Sequence, residues 1–287
     1  MIPQRNHSLT VSIHLTNKRK LKIKTIIFLF VILFISCKPQ PNKIENVTNS
    51  KMKIVKSEHI PDNLKKWADD INNDNTNSLK NSYDTNAIKI ISEDSIIDNS
   101  AQIANYYRIQ TGKITSIESI FNLEANKKKE INYQLVRYQI DNLKEFIGIV
   151  IWKMENGKII REFEFTQETT LESKKVDTTD IDERRKLWIE LCNKNNSENL
   201  VKQLYSKHTM YFNHKPIVKG TEELIKEYSY MNNGNYTLNL HPLKLEVVNA
   251  NFVFEVGQCS GSYNGKYILV WKKQPDGNWK VYIDSNI

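Results

Sequence analysis

The chain has 287 residues, 39% apolar and 26% charged, enough for two ordinary domains that each bury a core. Its formal charge is +8, but residues 1–36 hold Arg5, Lys18, Arg19, Lys20, Lys22 and Lys24 and no acid, so the remainder carries only +2. A nucleic-acid partner calls for a basic patch on the folded part and is disfavoured; three cysteines with no CxxC pair and no Cys/His cluster disfavour structural zinc.

Lys18 to Lys24, KRKLKIK, is a positive segment followed by ten uninterrupted apolar residues, Ile26 to Ile35. A spanning helix needs about 20, so the pattern is that of a secretory signal. Phe34-Ile35-Ser36-Cys37 resembles the lipobox of bacterial lipoproteins, with Phe where Leu is usual. The resemblance implies cleavage before Cys37, acylation of that residue, a lipid bilayer as partner and a folded part facing the periplasm. Several acyl chains anchor stably where one holds only marginally. Residues 1–36 are therefore expected to be an N-terminal extension and signal peptide. Residues 37–57, mostly Pro, Asn, Lys and Ser, are expected to be a flexible tether.

The first domain is expected over residues 58–167. Pro61-Asp62 opens a helix whose apolar face is Leu64, Trp67, Ala68 and Ile71. A short helix carries Leu79 and Tyr83 one turn apart, and Ala87–Ile91 is a short strand. Ser100 caps a helix with Ile103, Tyr106 and Tyr107 inward. Strands follow at Ile114–Leu123, Ile131–Ile140, Glu145–Lys153 and Lys158–Phe165, the last two joined across Asn156-Gly157, a strong two-residue turn signal.

A polar linker, 168–178, leads to a second domain over 179–287 with the same order. Asp180 to Glu183 reads as a capping box, and Trp188, Leu191 and Cys192 share one helical face. Ser197 caps a helix carrying Leu200, Leu204 and Tyr205; Thr209–Asn213 is a short strand; Gly220-Thr221 starts a helix bearing Leu224, Ile225 and Tyr228. Four long strands close the chain, at Tyr236–Val248, Phe252–Ser260, Tyr267–Lys273 and Trp279–Asp284, with Pro275 to Asn278 as the last turn. The two final hairpins echo each other: Trp152 answers Trp271, Gly157 answers Gly277, and Glu164 answers Asp284. Helices first and antiparallel strands after them predict an α+β class, repeated twice.

That order, with Trp188, Leu200 to Tyr205, Lys219 to Leu224, and Trp271 to Lys273 followed by Asp276 to Val281, resembles the nuclear transport factor 2-like cone fold, whose members include SnoaL-like polyketide cyclases and ketosteroid isomerases. The likeness covers most of 180–287 and is fainter over 58–167, where Trp67, Tyr83, Trp152 and Gly157 hold the frame. It implies two tandem cone-shaped domains, each with helices on a curved antiparallel sheet around a pocket. It also implies pairing through the sheets, either between the two copies of this chain or in a homodimer.

Candidate pocket residues are Tyr211, Tyr228, Glu255, Tyr267, Trp271 and Asp284. None can be given a catalytic role from the sequence. Because Trp279, Val281 and Ile283 alternate, Asp284 is expected on the outer face of the last strand, as a solvated or structural acid. Glu255, between Phe254 and Val256, suits either a pocket or an ordinary half-exposed strand. Cys192 and Cys259 suit a helix-to-sheet disulfide or two small core hydrophobes. No metal spacing, phosphate loop or hydrolase elbow occurs, so no metal or cofactor is expected. The first reading is a lipid-anchored, non-enzymatic protein that binds a small apolar ligand or a protein partner. The alternative is an isomerase- or cyclase-type enzyme acting from the second domain.

Overall fold

The computed structural model describes residues 60–170 and 176–287. The signal segment, Cys37, the tether and the middle of the linker lie outside the described residues.

The first half runs α1 (Ile60–Asn72), α2 (Thr76–Lys80), β1 (Tyr83–Ser92), β2 (Ser95–Ile97), α3 (Ser100–Arg108), β3 (Ile114–Asn126), β4 (Ile131–Ile140), β5 (Lys144–Glu155) and β6 (Lys158–Glu168). The second runs α4 (Thr179–Asn193), α5 (Ser197–Leu204), β7 (Tyr205–Phe212), β8 (Val218–Lys219), α6 (Thr221–Glu227), β9 (Leu238–Asn249), β10 (Phe252–Gly261), β11 (Lys266–Lys273) and β12 (Trp279–Asn286). A short 3-10 turn, Tyr228–Asn232, follows α6. The sheets are ordered β2-β1-β6-β5-β4-β3 and β8-β7-β12-β11-β10-β9, one topology twice. The class is α+β, with two sheet-and-helix domains. Each sheet is mixed, because β1 enters parallel to β6 and β7 parallel to β12.

Local chemistry explains most element ends. Asn156 and Gly157 both take positive φ, 51° and 74°, as the tight turn between β5 and β6 requires. Three caps fall one or more residues away from their expected place. Asn99 and Asn196, not Ser100 and Ser197, accept the backbone N–H of Gln102 and Asn199, and the serines become the first helical residues. At α4 the cap position is Thr178, and Asp177 accepts the Thr179 N–H in place of a capping box. Tyr83 and Tyr205 do not extend the preceding helices. Each opens a parallel strand, because pairing with β6 and β12 outweighs the local helical spacing.

One irregularity occurs in both halves. Val270 pairs with Ile283 and Trp271 with Val281, so Tyr282 is an extra residue on β12. Likewise Ile151 pairs with Phe163 and Trp152 with Arg161, so Glu162 is extra on β6. A bulge of this kind reverses the in/out alternation beyond it. Val281 faces the helices of its own domain, Tyr282 and Ile283 both face the other sheet, and Asp284 returns to the helix side. The expectation that Asp284 lies outside is therefore overturned.

The face of each sheet away from its helices belongs to one shared apolar cluster. Phe163 stacks on Phe212 with ring centroids 5.1 Å apart, and Phe165 lies 5.7 Å from Phe254 and from Tyr282. At the margins His214 Nδ1 meets Glu162 Oε2 at 2.6 Å and Arg137 donates to Glu246 at 3.1 Å.

Candidate functional site

In the second domain, α4, β7 and the 3-10 turn bring three side chains, Trp188, Tyr205 and Tyr228, around the carboxyl group delivered by the β12 bulge. Tyr205 and Tyr228 both donate to Asp284 Oδ2, at 2.6 and 2.5 Å, and Trp188 Nε1 donates to the Tyr205 oxygen at 2.9 Å. Asp284 is only 3% exposed. Burial pushes its carboxyl up to about 6 despite the two phenol donors, which act the other way. Burial and then the Asp284 charge hold both phenols well above their ordinary value.

A second buried carboxylate sits deeper. Glu255 is fully buried on β10 and takes a two-pronged contact from Arg185 of α4, Nε to Oε1 at 2.6 Å and Nη2 to Oε2 at 2.8 Å. Tyr267 donates to Oε1 at 2.7 Å and Trp271 Nε1 to Oε2 at 2.8 Å. Every lone pair that faces the core has a donor, which is the condition under which a buried ion pair is tolerated. Gly257 makes this possible: a Cβ there would lie 2.3 Å from the Tyr267 ring.

The first domain repeats the Asp284 site with one difference. Trp67 Nε1 donates to Tyr83 at 2.9 Å, and Tyr83 and Tyr107 donate to Glu164 at 2.9 and 2.8 Å. Here the acid also has cations: Lys89 at 3.0 Å and Arg161 at 3.2 Å. Burial works to raise the Glu164 pKa, but Lys89 and then Arg161 outweigh it and leave the carboxyl below its ordinary value. The strand registers explain the contrast. The position of Lys89, opposite the acid on the neighbouring strand, is Tyr211 in the second domain. The position of Arg161, opposite the tryptophan of the hairpin, is Val281.

The cavities differ as well. The space beside Asp284, walled by Trp188, Tyr228, Met231, Cys259 and Tyr267, measures about 30 Å³, room for one or two waters. The matching space in the first domain, beside Lys89, Tyr107 and Tyr138, is about 100 Å³. A larger cleft of about 430 Å³ lies elsewhere in the first domain, between α1 and the β5–β6 hairpin, with Leu64, Trp67, Gln134, Trp152 and Arg161 among its walls.

Of the residues singled out from the sequence, Tyr228, Tyr267 and Asp284 border the small cavity, and Glu255 and Trp271 form the polar cluster beneath it. Tyr211 packs edge-on against Tyr228 and donates to Asn286 at 3.0 Å. Cys192 and Cys259 are both free and buried. Burial raises both thiols, Cys192 to about 12, which leaves them unreactive. Sequence reasoning did not find Arg185, Tyr205, Lys89 or Arg161 as site residues. The available signal was the pair Tyr83 and Tyr205, which open their strands 16 and 17 residues after a helical tryptophan. Among the described residues, no group of three or more His, Cys, Asp or Glu is placed to hold a metal, and no helix is long and apolar enough to cross a membrane.

No family model matches the chain, and no curated protein matches it. Solved structures similar to parts of it include a nuclear transport factor 2-like protein of unknown function from Shewanella oneidensis MR-1, 17% identical over 38% of this chain and 97% of that one, TM-score 0.34. A nuclear transport factor 2-like superfamily protein from Salmonella enterica serovar Typhimurium is 17% identical over 38% and 89%, TM-score 0.33. A ketosteroid isomerase-like protein from Erwinia carotovora atroseptica is 12% identical over 37% and 91%, TM-score 0.33.

Proposed function

We propose that this chain is a lipid-anchored protein of the bacterial cell envelope, held by acylated Cys37 and facing the periplasm. Its two cone domains pair with each other through their sheets and bind a small apolar or amphipathic ligand or a protein partner, without catalysing a reaction. The observation that carries the non-catalytic part is the 30 Å³ beside Asp284, against about 300–1,000 Å³ in ordinary ligand sites. With so little room, the Trp–Tyr–acid–Tyr sets act as polar pins that join helices to sheet. The apolar run Ile26–Ile35 ending at Cys37 supports the anchor.

The anchor is tested by fractionating cells that express the full chain and its Cys37→Ser variant. Wild type is expected in the membrane with a labelled acyl chain and the variant without it; an unlabelled wild type overturns the reading. Binding is tested by a thermal-shift screen of small apolar and amphipathic compounds, and a screen in which none raises the melting temperature counts against a small ligand.

One observation favours the enzyme alternative: Asp284, with its carboxyl at about 6 beside two phenol donors, has the parts of an acid–base site. Exchange of ketone α-protons in D2O, catalysed by the wild type and lost in Asp284→Asn, is the result that would favour it.

A further inference from the structure

The two domains differ most where the first has its large cleft. Trp152 of β5 pairs with Asn132 and Trp271 of β11 pairs with Val253, so two residues further on Gln134 stands where the second domain has Glu255. Three residues before the helical tryptophan, Leu64 stands where the second domain has Arg185. The second domain thus fills this place with its own ion pair, Arg185 to Glu255 at 2.6 and 2.8 Å. The first domain fills it with neither partner, and a cleft of about 430 Å³ opens there.

A cation nevertheless reaches the cleft, from a strand instead of the helix. Arg161 of β6 lies at its wall, 6% exposed, with its guanidinium 4.3 Å from the centre of the Trp67 ring. Among the described residues its side chain makes a single hydrogen bond, Nη1 to Glu164 at 3.2 Å, and the residue lines the cleft. The two buried acids nearby are unevenly shared between the two buried cations. Lys89 and Arg161, 3% and 6% exposed, share the one carboxylate of Glu164. Asp70, also on the wall, is engaged by Lys66 at 2.6 Å and by Ser78 at 2.8 Å. A buried cation without its full complement of negative charge is costly, and a ligand that supplies the charge recovers the cost.

We infer that the first-domain cleft binds a small organic carboxylate, whose carboxyl group lies on the free donors of Arg161 and does for this domain what Glu255 does for the second. The rest of the ligand is flat and apolar, because the floor is built of Trp67, Trp152, Leu64 and Ile159. The inference rests on the reading of the protein as a binder and names the ligand class.

The test is calorimetry on the full chain in detergent, with 2-naphthoate as the probe and 2-naphthamide as its neutral match. The naphthoate is expected to bind at least about tenfold more tightly than the amide, the scale set by one charge-assisted contact. Arg161→Gln removes a partner of Glu164 and can fail to fold for that reason alone, so Gln134→Glu carries the decision. It places the missing carboxylate in the protein, and is expected to weaken naphthoate binding at least about tenfold while the melting temperature holds or rises. Equal binding of acid and amide overturns the carboxylate assignment and leaves the binder reading standing. Unchanged naphthoate affinity in Gln134→Glu, or no naphthoate binding by the wild type, overturns the assignment outright; the thermal-shift screen judges the binder reading separately.

Discussion

Asp284 and Glu164 occupy the same position in two copies of one fold, and their neighbours send them in opposite directions. Burial raises Asp284 to about 6, so its ionised form is disfavoured in the folded state. Its contribution to stability is complete below the ordinary aspartate pKa and is lost as pH rises through about 6. The full difference amounts to about 3 kcal/mol, of which about 2 kcal/mol falls between pH 4 and pH 7, and Asp284→Asn is expected to remove that part of the stability change in urea unfolding. Glu164 is shifted down, so its contribution is present above the ordinary glutamate pKa and lost in acid. Glu255→Gln leaves Arg185 buried without its main partner and is expected to cost about 3–5 kcal/mol. The double variant Arg185→Leu with Glu255→Gln copies Leu64 and Gln134 of the first domain and is expected to recover most of that loss; additive losses in a double-mutant cycle would contradict the pairing.

At the scale of elements, the bulge near the middle of β12 decides which face carries the acid. It is also the reason strand alternation misplaces Asp284: Trp279, Val281 and Ile283 read as one face until Tyr282 is recognised as an extra residue. On β10, Gly257 lets Tyr267 cross beneath it to reach Glu255, and a Cβ would also meet the His241 carbonyl at 2.7 Å. Gly257→Ala is expected to cost about 1–3 kcal/mol through this overpacking, read as a lower urea midpoint. Gly157, with φ of 74° and open space around its Cβ position, is strained by substitution only through its backbone, so Gly157→Ala is expected to cost about 1 kcal/mol or less.

Across the whole molecule, the shared cluster makes the two halves interdependent. Phe163, Phe212 and Phe254 lose their surroundings if either sheet departs. Phe212→Ala is expected to cost about 3–5 kcal/mol, and wild type and variant should each unfold in one transition by both tryptophan fluorescence and far-ultraviolet circular dichroism. Two resolved transitions would mean that the halves fold separately.

Much of this architecture was legible in residue patterns. Leu64, Trp67 and Ala68 marked the inward face of α1, Asn156-Gly157 marked a hairpin, and the echo of Trp152 and Glu164 in Trp271 and Asp284 marked one plan used twice. These signals are local, set by helical spacing, turn dihedrals and strand alternation over a few residues. Tertiary structure decided the rest. The side of the sheet that holds Asp284 depends on a bulge that shows only in the pairing of two strands. The partner of Glu255 is a helix residue 70 positions away, and the cleft at Arg161 is lined by Leu64 and Gln134, distant in sequence and both uncharged. Burial, charge balance and cavity volume are properties of side chains brought together from separate elements, and no short stretch of sequence contains them.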